Sequence, residues 1–95
     1  MGEAAVEARV TGRVQGVAFR AWTKQEAEAA GLRGWVMNAP DRSVHVLLAG
    51  PAEAVAGMVR ALEDGPPAAV VARVETREAD ADEVQEAGDG FHIRA

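Results

Sequence analysis

Between Ala8 and Gln25 the chain carries Arg9, Arg13, Arg20 and Lys24 and no carboxylate, a local excess of positive charge in a chain of net charge −5. Inside this window runs GRVQGVAFR, residues 12–20. Gly12 and Gly16 permit backbone turns that aim successive N–H groups into a concavity, beside a helix amino terminus whose unpaired N–H groups favour an anion. Arg20 stands at the start of that helix, and its planar five-donor guanidinium fits phosphoryl oxygens two at a time. Asn38 adds a neutral amide that both donates and accepts. Together these residues have the chemistry to capture a small tetrahedral anion. A blander account competes, in which Gly12 and Gly16 only shape a connection and Arg20 is a solvated first-turn residue. A Walker-type nucleotide loop is excluded, because no GxxxxGK followed by Ser or Thr occurs.

The elements that must position these groups follow from periodicity. Ala4, Val6, Ala8 and Val10 alternate with Glu7, Arg9 and Thr11, which predicts a half-buried strand from Ala4 to Gly12. Residues Arg13 to Phe19 form a loop. Strong helix formers then run from Arg20 to Ala30, ended by Gly31, with an inward stripe of Phe19, Thr23, Ala27 and Ala30. Leu32 to Asn38 and Ser43 to Ala49 read as a hairpin around Ala39, Pro40, Asp41 and Arg42. Gly50 and Pro51 open a second helix, Val55, Met58, Val59 and Leu62 give it helical spacing, and Gly65, Pro66 and Pro67 stop it. Val70, Ala72, Val74 and Thr76 oppose Val71, Arg73, Glu75 and Arg77 in a fourth strand. Phe91, Ile93 and Ala95 oppose His92 and Arg94 in a short last one. Glu78 to Gly90, with six acids and no base, reads as a strand end and solvated loop, and Asp80, Asp82 and Glu83 as a solvated charge run.

The order is βαββαβ with a short extra C-terminal strand, an α+β ferredoxin-like sandwich in which an antiparallel sheet carries two helices on one face. Residues 1–95 are expected to form a single domain. A strand–helix–strand crossover returns the chain parallel to its start, so the loop after strand one and the Asn38 side chain emerge at the same sheet edge. With one strand between them they stand about 10 Å apart, a gap that an Arg, an Asn and a tetrahedral anion fill.

Composition removes whole chemistries. Cysteine is absent, which excludes disulfides, thiolate metal sites and cysteine nucleophiles, and suits the cytoplasm. The net charge disfavours nucleic acid and anionic membranes. No leader pattern opens the chain and no run approaches the length of a membrane span. His45 and His92 lie on separate strands without a ligand set, Trp22 and Trp35 read as packing residues, and no catalytic carboxylate pair stands out. An RNA-binding sheet needs more aromatics than four and a basic face.

The segments VTGRVQGVAFRAW and AGLRGWVMNAPDRSVHVLLAG closely resemble the acylphosphatase family, through the paired motifs GxVQGVxFR and GLxGWVxN between Gly12 and Asn38. The resemblance continues through the later GP, GPP and terminal FHI. It implies a small ferredoxin-like hydrolase that splits the carboxyl–phosphate anhydride of an acyl phosphate by in-line water attack, releasing a carboxylate and inorganic phosphate. It further implies that Arg20 holds phosphate, that Asn38 orients water, and that Val14, Gln15, Gly16, Val17, Ala18 and Phe19 supply a phosphate-binding loop acting mostly through backbone amides. Neither metal nor cofactor is demanded, and a cytoplasmic monomer is the default. The alternative is a non-enzymatic ferredoxin-like module that binds a small phosphorylated ligand, a relative of domains in larger maturation proteins. One departure stands out. Where the family commonly has Asp-Gly in the hairpin turn, this chain reads Asp41, Arg42, Ser43. A positive φ is costly for a non-glycine residue, so a different turn is expected there, with Arg42 adding a cation near the active edge.

Overall fold

The alternation that starts at Ala4 runs through the whole of β1 (Glu3–Arg13), with Ala8 and Val10 buried and Arg9 exposed. The structure, a computed structural model, describes residues 2–94, so Ala95, expected in the last strand, lies outside the described residues. After β1 come α1 (Phe19–Ala29), β2 (Arg33–Asn38), β3 (Val44–Pro51), α2 (Ala52–Asp64), β4 (Val70–Glu78), α3 (Ala81–Ala87) and β5 (Phe91–Arg94). The sheet order is β4-β1-β3-β2-β5. Its first three pairings are antiparallel, as expected of the split βαβ arrangement, while β5 joins β2 in parallel. The ferredoxin-like frame is therefore kept, with the extra strand at the β2 edge.

α1 and α2 cover one face. Phe19 and Ala27 of α1 and Val55, Met58 and Leu62 of α2 pack on Ala8, Val10, Val36, Val44, Val46 and Leu48, which point to that side by strand alternation. Each large apolar side chain fully buried there contributes roughly 1.5–3 kcal/mol relative to exposure. The predicted α1 stripe holds at Phe19, Thr23 and Ala27, but Ala30 is exposed because the helix has already ended there as it turns into Gly31.

Two expectations are corrected. The polar stretch after β4 is not a loop throughout, since α3 forms in it and places Ala87 against Trp35 and Leu47 on the opposite face of the sheet. Asp80 caps that helix: its side chain accepts from the Glu83 N–H at 2.9 Å while the Glu83 carboxylate accepts from the Asp80 N–H at 3.1 Å. The pattern Asp-x-x-Glu is a capping box, so these acids are more than a solvated charge run. The second correction lies in β4, where the register against β1 shifts between Thr11 and Gly12. The bulge interrupts the alternation at Ala72, so Val71 and Val74 pack on the core and Val70 is left exposed.

Candidate active site

The segment between β1 and α1 is pinned at both ends by side chains in the core, Val14 and Phe19. Between them the backbone turns through Gly16 at φ 77° and Ala18 at φ 62°, ψ 25°, both in the left-handed region. A Cβ on Gly16 would meet nothing within 4 Å, so the glycine serves conformation rather than space. Gly12, at φ 124°, serves space as well as conformation: a Cβ there would lie 2.2 Å from the Val70 carbonyl oxygen, so the glycine allows the close approach of β1 to β4 at the bulge.

Ala18 is the N-cap of α1 and offers no side-chain cap, and the first turn holds no acid. The Ala18 carbonyl accepts the Trp22 N–H at 3.0 Å, which closes the first helical turn. The N–H groups before Trp22 have no intrahelical acceptor, and they carry the positive end of the helix dipole. Loop, helix start and Arg20 thus present donors with no built-in anion to satisfy them.

Asn38 comes from the far side of β3. It ends β2, half-buried and opposite Val44, on the face that carries α1. A cavity of about 220 Å³ lies between Val14, Gly16, Ala18, Phe19, Arg20, Ala21, Asn38 and Ile93. Arg20 and Asn38, predicted from sequence to emerge at one edge, therefore line one cavity together with four other expected loop residues, Val14, Gly16, Ala18 and Phe19. Ala21 and Ile93 are not among the expected site residues; Ile93 is legible only as an alternating apolar position of the last strand, and it is exposed. Arg20 is steadied by β5, its Nη1 donating to the Arg94 carbonyl oxygen at 3.3 Å.

Gln15 and Val17, also expected in the loop, do not line the cavity. Val17 packs partly against the core. The Gln15 side chain turns to the β2–β3 hairpin, its Nε2 donating to the carbonyl oxygens of Ala39 at 3.0 Å and Ser43 at 2.9 Å. The side chain of Gln15 is thus spent on the hairpin and does not reach into the cavity.

The hairpin turn itself departs from expectation. Arg42 adopts φ 74°, so the left-handed position is kept without glycine. Its cost is offset by hydrogen bonds and an ion pair at the turn: the Asp41 carboxylate accepts from the Ser43 N–H at 3.0 Å and from the Ser43 hydroxyl, and Arg9 pairs with it from β1. The Ser43 hydroxyl, then Arg9, hold the Asp41 carboxyl well below the usual carboxylate range.

The remaining candidates are structural. Trp22 stands edge-on to Phe19, with ring centroids 5.5 Å apart, and Trp35 lies under the Arg94 guanidinium at 4.8 Å. His92 Nε2 lies 2.6 Å from the Asp89 carbonyl oxygen, and His45 Nε2 is buried without a partner among the described residues. Glu83 is held down to about 2 by Arg77 and by the Asp80 N–H. Among the described residues no three His, Asp or Glu side chains cluster as metal ligands, and no helix is long and apolar enough to cross a membrane.

Comparison with known proteins gives a consistent answer. The acylphosphatase family model matches residues 6–93. The acylphosphatase of Rhizobium meliloti is 53% identical over 90% of this chain and 86% of its own length. The crystal structure of acylphosphatase from Bacillus subtilis superposes with a TM-score of 0.87 at 34% identity, covering 96% of this chain and 98% of that one. Full-length HypF, in a phosphate- and nucleotide-bound form, is similar over 99% of this chain but only 12% of its own, with a TM-score of 0.85 at 27% identity.

Proposed function

The chain belongs to the acylphosphatase family, and on that premise we propose that Arg20 and the amides of residues 14–19 hold the phosphoryl group while Asn38 orients the attacking water. The overall reaction is hydrolysis of the carboxyl–phosphate anhydride of an acyl phosphate to a carboxylate and inorganic phosphate. The observation that carries the residue assignment is the shared cavity: Arg20 on α1 and Asn38 at the end of β2 line the same space as the Gly16–Ala18 turn.

The chemistry asks little beyond position and charge. The carboxylate is a good leaving group, so the phosphoryl group passes through a loose transition state without strong acid catalysis. Arg20 and the loop amides meet the charge on its oxygens. The Asn38 amide accepts from and donates to its surroundings, which orients a water in line with the departing carboxylate. A bond forms from the water oxygen to phosphorus, the bond from phosphorus to the acyl oxygen breaks with its electron pair leaving on the carboxylate, and the water proton passes to a phosphoryl oxygen. Asn38 is not a base at neutral pH, so it positions the water and takes no proton.

We place the whole chain, residues 1–95, in one working domain, active as a cytoplasmic monomer without metal or nucleic acid. The cysteine-free composition suits a reducing compartment, and the charge of −5 disfavours nucleic-acid partners. The test is hydrolysis of benzoyl phosphate with chelator present, beside folded Arg20→Ala and Asn38→Ala proteins. Turnover in the wild type lost in both variants is expected. An inert wild type that still binds phosphate points instead to a binding module.

A further inference from the structure

We propose that Gln15 is a positioning residue for hydrolysis, a clasp that sets the distance between the phosphate-binding loop and Asn38. This rests on the assignment of the loop and Asn38 made above. Gln15 lies between Val14 and Gly16, both of which line the cavity, yet its side chain leaves the loop altogether. Its Nε2 reaches two carbonyl oxygens on the neighbouring hairpin, Ala39 at 3.0 Å and Ser43 at 2.9 Å. Both partners only accept, so the nitrogen end of the amide must face them, and both of its N–H groups are spent.

The point of attachment is what matters. Ala39 follows Asn38 directly, and its N–H donates to the Ser43 carbonyl at 2.9 Å while its own carbonyl accepts the Arg42 N–H at 3.0 Å. Each of the two carbonyls that Gln15 holds therefore already has one backbone partner, and Gln15 takes the second lone pair of both. Removing the side chain leaves no hairpin carbonyl unpaired, so the hairpin keeps its own bonds. What is lost is the tie across the gap between the loop after β1 and the end of β2. β3 separates those strands in the sheet, and no backbone ladder joins them directly. Loop and Asn38 must hold the phosphoryl group and the water in one line, and a misplacement of about 1 Å costs on the order of a hundredfold in rate. Gln15 therefore acts on catalysis through the relative position of two groups, and touches neither substrate nor water with its side chain.

The experiment compares Gln15→Met and Gln15→Glu with wild type in benzoyl phosphate hydrolysis and in inhibition by inorganic phosphate. Met has similar length and no donors. It should lower kcat by about tenfold to a hundredfold while changing phosphate inhibition by less than about threefold, because the loop's own amides and Arg20 remain. Glu presents a carboxylate to two carbonyl oxygens and should be impaired at neutral pH. Its activity relative to wild type should recover as the pH falls toward about 4 to 5, where a protonated carboxyl again donates. The charged side chains nearest in sequence are Arg13 beside the loop and, on the turn, Arg42 and Asp41; Asp41 stays ionised through this range, held by Ser43 and Arg9.

Wild-type kcat in folded Gln15→Met protein overturns the proposal, and so does an equal loss of phosphate affinity, which would put the side chain at the anion itself. Should Gln15→Met fail to fold, through-hydrogen-bond scalar couplings in the wild type decide. Couplings from Gln15 Nε2 to the Ala39 and Ser43 carbonyl carbons support the clasp, and their absence overturns it. An inert wild type overturns the hydrolytic assignment and the positioning role together, whereas an active wild type with unaffected Gln15 variants overturns the positioning role alone.

Discussion

Arg20 is held by a residue 74 positions away: its Nη1 donates to the backbone carbonyl oxygen of Arg94 at 3.3 Å. The bond uses one of five guanidinium donors and fixes the stem, so the others stay available to the cavity. Ile93, the residue before Arg94, lines that same cavity. The last strand thus contributes both a wall and an anchor, although it carries none of the residues expected to do chemistry.

Arg20→Ala should lower kcat/KM by at least about a hundredfold and weaken inhibition by inorganic phosphate, since one guanidinium serves both the bound ground state and the transition state. Steady-state kinetics with phosphate as inhibitor checks this. Unchanged phosphate affinity removes Arg20 from the site.

Asn38→Ala should separate the two effects. Its kcat should fall by about tenfold or more with phosphate inhibition little changed, because orienting water matters to reaction rather than to anion affinity. Full kcat in a folded variant ends the role assigned to the amide.

Gly12, in β1, and Gly16, in the loop that follows, should respond differently to alanine. Gly16→Ala meets no neighbour but must hold φ 77°, so a stability loss of about 1 kcal/mol and weaker phosphate inhibition are expected. Gly12→Ala drives a Cβ to 2.2 Å from the Val70 carbonyl oxygen and should lose clearly more stability as the bulged β1–β4 pair is forced apart. Denaturant melts of both variants decide; equal losses contradict the distinction.

Asp41 should contribute a pH-dependent share of stability. Its folded pKa is depressed, first by the Ser43 hydroxyl and then by Arg9, so its contribution is complete above the unfolded value near about 3.9 and is lost as the pH falls through the lower folded value. The Tm gap between wild type and Asp41→Asn should therefore be present at neutral pH and shrink below about pH 4. A gap constant down to low pH shows that the carboxylate does not hold the turn.

Much of this was readable along the chain. Val55, Met58 and Leu62 announced α2, Val6, Ala8 and Val10 announced β1, and the GRVQGVAFR loop with Arg20 and Asn38 marked the cavity's main residues. α3 was hidden by its acidity, although the capping box of Asp80 and Glu83 was a local signal that could have revealed it. The β4 bulge was not readable, because alternation alone does not say where Gly12 brings two backbones together. The Arg42 turn departs from its local expectation for a related reason: a penalty for positive φ is local, whereas Arg9, one of the groups that offset it, arrives from β1.

The amino-acid sequence by itself determined the element order, the apolar faces and the residue types at the cavity, since periodicity, caps and backbone freedom act over a few residues. Tertiary structure alone decided that β5 would lie parallel beside β2, that α3 would cover the second face, and that the Gln15 amide would leave the loop for the hairpin. These depend on hydrogen bonds and packing between segments far apart in the chain. Such contacts exist only once the sheet has brought the segments within a few ångströms, and no spacing along the sequence encodes that distance.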